Sequence, residues 1–209
     1  MGIPVMILGQ SGTGKSTSLR NFKPEEIGVI NVSGKPLPFK SKLKTINTDK
    51  PEDIERIIRG AKAKTIVVDD AQYIMANEFM RRAKETGYQK FVDIGRNFWA
   101  IVNAVIRETP DDTIVYMLMH TEMDANGNEK AKTIGKMLDE KITLEGMFTI
   151  VLKTSVKDGQ YVFLTQNNGM DTVKSPMGMF ADAEIPNDLK MVDKIIREYY
   201  DMNDIKEEA

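Results

Sequence analysis

The chain has no cysteine among its 209 residues, which removes disulfides, thiolate zinc sites and cysteine nucleophiles together. It has one histidine, His120, so an imidazole-based zinc site has no partner ligands at metal spacing. Neither sign of charge is in excess. Lys plus Arg total 29 against 31 Asp plus Glu, and the formal net charge of -2 gives no general attraction to nucleic acid. Any such binding has to come from a local basic patch or a mobile loop. No apolar run approaches the ~20 residues that a membrane span requires. The opening MGIPVMILG is too short, and too soon followed by polar residues, to be a signal peptide. The cytoplasm is therefore the expected location, with no membrane partner. Internal repeats and low-complexity segments are also missing.

What is present suits one medium-sized domain over 1–209, since 41% hydrophobic residues can fill a core of that size. The fourteen methionines read first as adaptable core filling. IPVMIL (Ile3 to Leu8) is a short apolar run of the kind that forms a buried parallel strand, and the helix-compatible GKSTSLRNF follows it. IGVINV (27–32) predicts a second strand and KTIVVDD (64–70) a third, with acids at its carboxyl end. TIVYMLMH (113–120) predicts a fourth. Between them, KPEDIERIIRGA carries Ile54, Ile57 and Ile58 at helical spacing, and residues 71 to about 109 are helical with an interruption around ETGYQK. The segment from Thr121 to about Lys141 is polar, with DANGNEK as a turn. MFTIVLKTSV and QYVFLTQ flank an Asp-Gly pair that favours a hairpin. A last amphipathic helix is expected over about 187–203, with a frayed acidic tail over 204–209. Strands alternating with helices predict an α/β fold with a mainly parallel central sheet flanked by helices, plus a C-terminal β-hairpin and helix.

Gly9, Gly14, Lys15 and Ser16 fit G-x-x-x-x-G-K-[ST], the P-loop. Its glycines let backbone N–H groups curl around phosphate, and the following helix is expected to offer its positive end. The cradle comprises Gly9, Gln10, Ser11, Gly12, Thr13, Gly14, Lys15, Ser16 and Thr17. Lys15 is expected to reach the β and γ phosphates of ATP and Ser16 to ligate Mg2+. Asp69, at the tip of TIVVDD, is the expected second metal group, acting through water. Asp70 follows it where an acid could activate or orient water, or could instead cap the next helix. His120 ends the fourth strand on the carboxyl edge, where ligands collect, and reads as a γ-phosphate sensor or as a simple capping group. No NKxD-type guanine reader is present. Arg197 is the only arginine after the fourth strand, which argues against a kinase lid.

GQSGTGKSTSLRNF, TIVVDD, YMLMHTEMD, KTIGKMLDEKITLEGMFTIVL and FLTQNNGMDTVKSPMGMF together resemble phage-encoded RecA-like AAA-type ATPases that act as single-strand annealing proteins. The resemblance runs from about Ile3 to Phe180. It implies a RecA-like P-loop NTPase core, hydrolysis of ATP with Mg2+, and binding, annealing and recombination of single-stranded DNA. It also implies a single-strand binding protein as companion, a ring or filament as the working form, and a bacterial host cytoplasm. Lys15, Asp70 and His120 take the catalytic positions. The separate glutamate usual in RecA-like proteins has no clear counterpart here.

The two loops that RecA-like folds direct at DNA correspond to KETGYQKFVDIGR, with Lys84, Tyr88, Lys90 and Arg96, and to EKAKTIGK, with Lys130, Lys132 and Lys136. Acids beside the second group leave a plain solvated loop open. Phe98 and Trp99 are expected in the core. Lys174, in the turn-rich DTVKSPMGMF, is the candidate to complete a neighbouring subunit's site, with the methionines of that segment exposed at the interface. Two other classes stay open: a nucleotide-dependent assembly switch with a protein partner and little hydrolysis, and phosphoryl transfer to a small molecule.

Overall fold

The computed structural model describes residues 1–202. Its centre is three strands that are buried at every residue but Ile3: β1 (Ile3–Leu8), β4 (Thr65–Asp69) and β5 (Ile114–Met119). Such uninterrupted burial is what a parallel sheet covered on both faces demands, and it explains their near-continuous Val, Ile, Leu and Met content. With β2 (Gly28–Asn31), β3 (Thr45–Asn47), β8 (Ile150–Lys157), β9 (Gln160–Leu164) and β10 (Glu184–Pro186), they form an eight-stranded sheet in the order β10-β9-β8-β1-β5-β4-β2-β3. Pairing is parallel from β3 to β8 and antiparallel for β8, β9 and β10. This is the mixed α/β architecture of a P-loop NTPase core.

The two-residue period of a strand sorts the core into two layers. Met6 and Leu8 of β1, with Ile66, Val68 and Met117, face helices α1 (Pro51–Gly60), α2 (Gln72–Arg81) and α3 (Gln89–Glu108). Val5 and Ile7, with Val67, Tyr116 and Leu118, face α4 (Leu189–Tyr199) and Leu19. Asp188 caps α4 by accepting from the N–H groups of Lys190 and Met191. A buried network then clamps this helix to the sheet. Asp193 accepts from Thr65 Oγ1 and Tyr116 Oη at 3.0 Å each and from Arg197 Nε at 2.7 Å. Among the described residues no helix is long and apolar enough to cross a membrane.

The β8–β9 hairpin has the expected turn: Asp158 and Gly159 both have positive φ, 50° and 76°, as a two-residue loop matched to strand twist requires. Four short strands were not expected. β3 and β10 widen the sheet, while β6 (Thr121–Met123) and β7 (Glu129–Ala131) form a separate hairpin around the DANGNEK turn. The C-terminal helix is shorter than the expected 187–203, and the tail 204–209 lies outside the described residues. Phe98 is fully buried as expected, whereas Trp99 is 39% exposed, because one step along a helix turns the side chain about 100° away from the core.

Candidate active site

Strand order assembles the site. β5 lies between β1 and β4, so the carboxyl ends of all three are neighbours, and Leu8 aligns with Met119. Gly9 N–H donates to the Met119 carbonyl at 3.2 Å, and Ala71 N–H donates to that of Leu118 at 2.8 Å. The start of the P-loop, the two aspartates and His120 are thereby brought to one edge.

Two glycines of the loop are obligatory. A Cβ on Gly9 would lie 2.0 Å from Thr154 Oγ1 and 2.6 Å from Thr13 Oγ1; Gly14 has φ 96°, and a Cβ there would lie 2.8 Å from the Tyr161 ring. Lys15 is only 5% exposed, and its Nζ donates to the carbonyls of Gly9 (2.8 Å) and Gln10 (2.9 Å). An ammonium has three N–H donors, so one remains for a ligand. Burial lowers the Lys15 pKa to about 8, against the opposing pull of Asp70 and Asp69. Among the described residues no group accepts from the N–H of Gly12, Gly14 or Lys15. The expected α-helix after the loop is instead a six-residue 3-10 helix, Ser16–Asn21. Pro24 gives the reason: it disfavours the helical conformation at Lys23, and Phe22 has already turned extended. So short a helix has a small dipole, and the loop amides themselves have to supply the anion cradle.

Ser16 Oγ donates to Asp69 Oδ1 at 2.8 Å, which leaves the hydroxyl lone pairs to face a cation. Burial raises the Asp69 carboxyl to about 6, with the adjacent Asp70 carboxylate adding to the rise against the Ser16 hydrogen bond. Asp70 adopts a left-handed backbone, φ 58°, a conformation aspartate tolerates better than most residues. It does not cap α2: the cap position belongs to Ala71, and no side chain caps that end. Burial pushes the Asp70 carboxyl up, but hydrogen bonds from His120 and Ser33 outweigh this and hold it below the usual range. His120 Nε2 lies 3.5 Å from Asp70 Oδ1. The His120 backbone is held on both sides, its N–H donating to Gln72 Oε1 (3.2 Å) and its carbonyl accepting from Lys132 N–H (2.9 Å).

Lys15, Ser16, Asp69, Asp70 and His120 line one cavity of about 280 Å3, completed by P-loop backbone and by Ser33, Lys35, Pro36 and Pro38. The donor set fits ATP with Mg2+. Unpartnered amides and one buried ammonium suit a polyphosphate, and a hydroxyl beside a carboxylate suits a hard cation that draws its other ligands from phosphate and water. Among the described residues no cluster of three or more His, Asp or Glu forms a metal site of its own. Among the described residues no glutamate lines the cavity.

The residues expected at DNA separate. Lys84 and Tyr88 are exposed in the connection between α2 and α3, with Tyr88 58% exposed. Lys90 and Arg96 belong to α3 rather than to a loop. Arg96 is exposed, but Lys90 is a correction: it is 9% exposed, its Nζ donates to the Glu85 carbonyl at 2.7 Å, and it lies over the Phe79 and Phe91 rings. That ammonium closes the α2–α3 connection and does not face solvent. Lys130 pairs with Asp139 and Lys136 with Glu140 (3.1 Å), while Lys132 is exposed. Lys174 is exposed and apart from the lining of its own cavity, its backbone paired with Val151. Met177 is 96% exposed, but Met179 is buried, against expectation.

Several contributors had no local signal. Thr154 braces Thr13 at 2.6 Å, and Asn187 packs beside Gly14 with its Nδ2 lacking a hydrogen-bond partner. Ser33, whose hydroxyl donates to Asn31 Oδ1 at 3.3 Å, helps to depress the Asp70 carboxyl, and Gln72 holds the His120 backbone. Only Ser33 had a cue, the SGKP turn at the carboxyl end of β2. No curated protein matches the chain. The family model described as an AAA domain matches residues 1–177, so the chain belongs to the AAA domain family, whose P-loop cores are of the ATP-binding and ATP-hydrolysing type.

Proposed function

We propose that this AAA-domain protein is an Mg2+-dependent ATPase of RecA-like build whose ATP-bound form grips single-stranded DNA. Hydrolysis releases or remodels that grip, and the cycle serves annealing and recombination. The observation that carries the nucleotide part is the convergence of Lys15, Ser16, Asp69, Asp70 and His120 on one cavity edged by unpartnered amides. The P-loop amides from Gly9 to Thr17 and the remaining Lys15 donor would hold ATP, and Ser16 with Asp69 would hold Mg2+. Bound there, Mg2+ supplies charge neutralisation on the β and γ phosphates.

The chain's own groups do the rest. Lys15 is desolvated, so its charge acts in a poorly screened site, where fixed electrostatics are strongest. Asp70, kept ionised by its partners, orients or deprotonates water, and His120 contacts Asp70 from the neighbouring strand. Because the His120 carbonyl is bonded to Lys132 N–H, a shift of His120 is passed to the β6–β7 hairpin. Lys84, Tyr88, Arg96, Lys130, Lys132 and Lys136 remain the DNA candidates, with Lys130 and Lys136 able to contribute only by releasing their carboxylates. A ring or filament is the proposed working form, with exposed Lys174 and Met177 directed at a neighbouring copy. A single-strand binding protein and a bacterial host cytoplasm complete the proposed setting.

One observation favours a second reading, an assembly switch with a protein partner and little hydrolysis: among the described residues the only carboxylates lining the cavity are the aspartates Asp69 and Asp70. Hydrolysis measured with and without single-stranded DNA, alongside DNA affinity with ATP and with ADP, separates the two. Stimulated turnover and affinity roughly 5- to 150-fold higher with ATP are expected, the usual range of coupling between sites. Failure to bind DNA in either state would sink the DNA reading and leave the switch.

A further inference from the structure

Between Glu26 and Asp49 the chain carries no acidic residue and four lysines, Lys35, Lys40, Lys42 and Lys44. These lie on the strap between β2 and β3. Leu37, Phe39 and Leu43 of the strap pack on the α4 side of the core, while Lys40, Lys42 and Lys44 are exposed. Phe39, Ser41, Leu43 and Thr45 line one cleft, and the three exposed lysines alternate with them along the chain. Lys130, Lys136, Lys153, Lys157 and Lys190 each pair with a carboxylate, whereas among the described residues none of the four strap lysines does. A chain of net charge -2 thus concentrates uncompensated positive charge here. Lysines also guard sheet edges. That accounts for Lys44 beside the edge strand β3, but not for Lys40 and Lys42, which precede it.

The strap is rooted in the candidate active site. Lys35, Pro36 and Pro38 line the same cavity as Lys15 and Asp70. Asn31, at the end of β2, fixes the root by donating to the Lys35 carbonyl (2.7 Å) and accepting from Gly34 N–H (2.9 Å). Two prolines stiffen the path from the root to the three lysines. We infer that Lys40, Lys42 and Lys44 bind the phosphodiester backbone of single-stranded DNA, and that nucleotide in the adjacent cavity sets the strap's position. This rests on the DNA-binding reading above and assigns it a surface distinct from the two loops.

The test is the salt dependence of binding to a fluorescein-labelled oligo(dT) strand, with ATP and with ADP. The wild type is compared with the triple variant Lys40→Ser/Lys42→Ser/Lys44→Ser and with a control, Lys62→Ser/Lys64→Ser/Lys194→Ser. The control removes equal charge off the strap, where Lys64 and Lys194 line a cleft beside the start of β4. Each single-strand phosphate contact contributes about 0.7 to the slope of log K against log salt, so the strap variant should lose about 2 from that slope. It should also lose the difference between ATP and ADP, with its melting temperature unchanged, and the control should keep both. A strap variant that binds with the wild-type slope overturns this inference and leaves the DNA reading standing. A wild type that binds no oligo(dT) with either nucleotide overturns both.

Discussion

Lys15→Met is expected to cut ATP turnover by on the order of 10²–10³-fold, the usual cost of removing one preorganised electrostatic group, while leaving the fold as stable as before or more so. The two halves have one cause. Lys15 is held in a desolvated position that lowers its pKa from 10.5 to about 8, a penalty on the charged form on the order of 3 kcal/mol. Methionine keeps the stem's bulk and removes the charge; losing the bonds to the Gly9 and Gln10 carbonyls offsets part of the gain. The folded-state pKa lies below the unfolded one. The penalty is therefore fully present below about pH 8 and fades as pH rises toward 10.5, and the variant's stability advantage follows the same window. Turnover and thermal melting, measured on either side of that window, check this. Normal turnover would refute the assignment of Lys15, and a collapse of the melting temperature would make it a structural residue.

Asp69→Asn is expected to weaken Mg2+ affinity by about 10–100-fold, the range for groups that orient a metal ligand. Asp69 takes the Ser16 hydroxyl proton at 2.8 Å and so turns its lone pairs outward. Asparagine can still accept that bond but lacks the charge. The wild type should show a second signature. Burial raises the Asp69 carboxyl to about 6, so it protonates as pH falls through that value. kcat/KM, which reports groups of the free enzyme, should fall on the acid side with a limb near 6. The variant should lack that limb. An unchanged Mg2+ titration midpoint would count against Asp69 as a metal group.

The site was legible where its chemistry is local. The P-loop spacing, the acids ending TIVVDD and the histidine ending TIVYMLMH each sit at the end of an apolar run, and a parallel sheet places such ends together. Contacts across the sheet were not legible. Thr154 is 141 residues from Thr13, and only the pairing of β1 with β8 makes them neighbours. Three-residue strands such as β3, β6, β7 and β10 are too short to show alternation, so the hairpin after His120 read as a polar loop. Lys90 misled because a lysine in a polar stretch normally reaches solvent; two phenylalanine rings and one carbonyl reverse that here. That the helix after the P-loop is short was foreseeable, since Pro24 disfavours helical backbone at Lys23; its 3-10 form was not.

Titration calorimetry of the folded wild-type protein with ATP and Mg2+, run at two temperatures so that a vanishing enthalpy at one is not mistaken for no binding, is the most direct measurement. Saturable binding at one site per chain, weakened without Mg2+ and in Lys15→Met, is expected. Absence of binding heat at both temperatures would contradict a phosphate cradle at Gly9–Thr17.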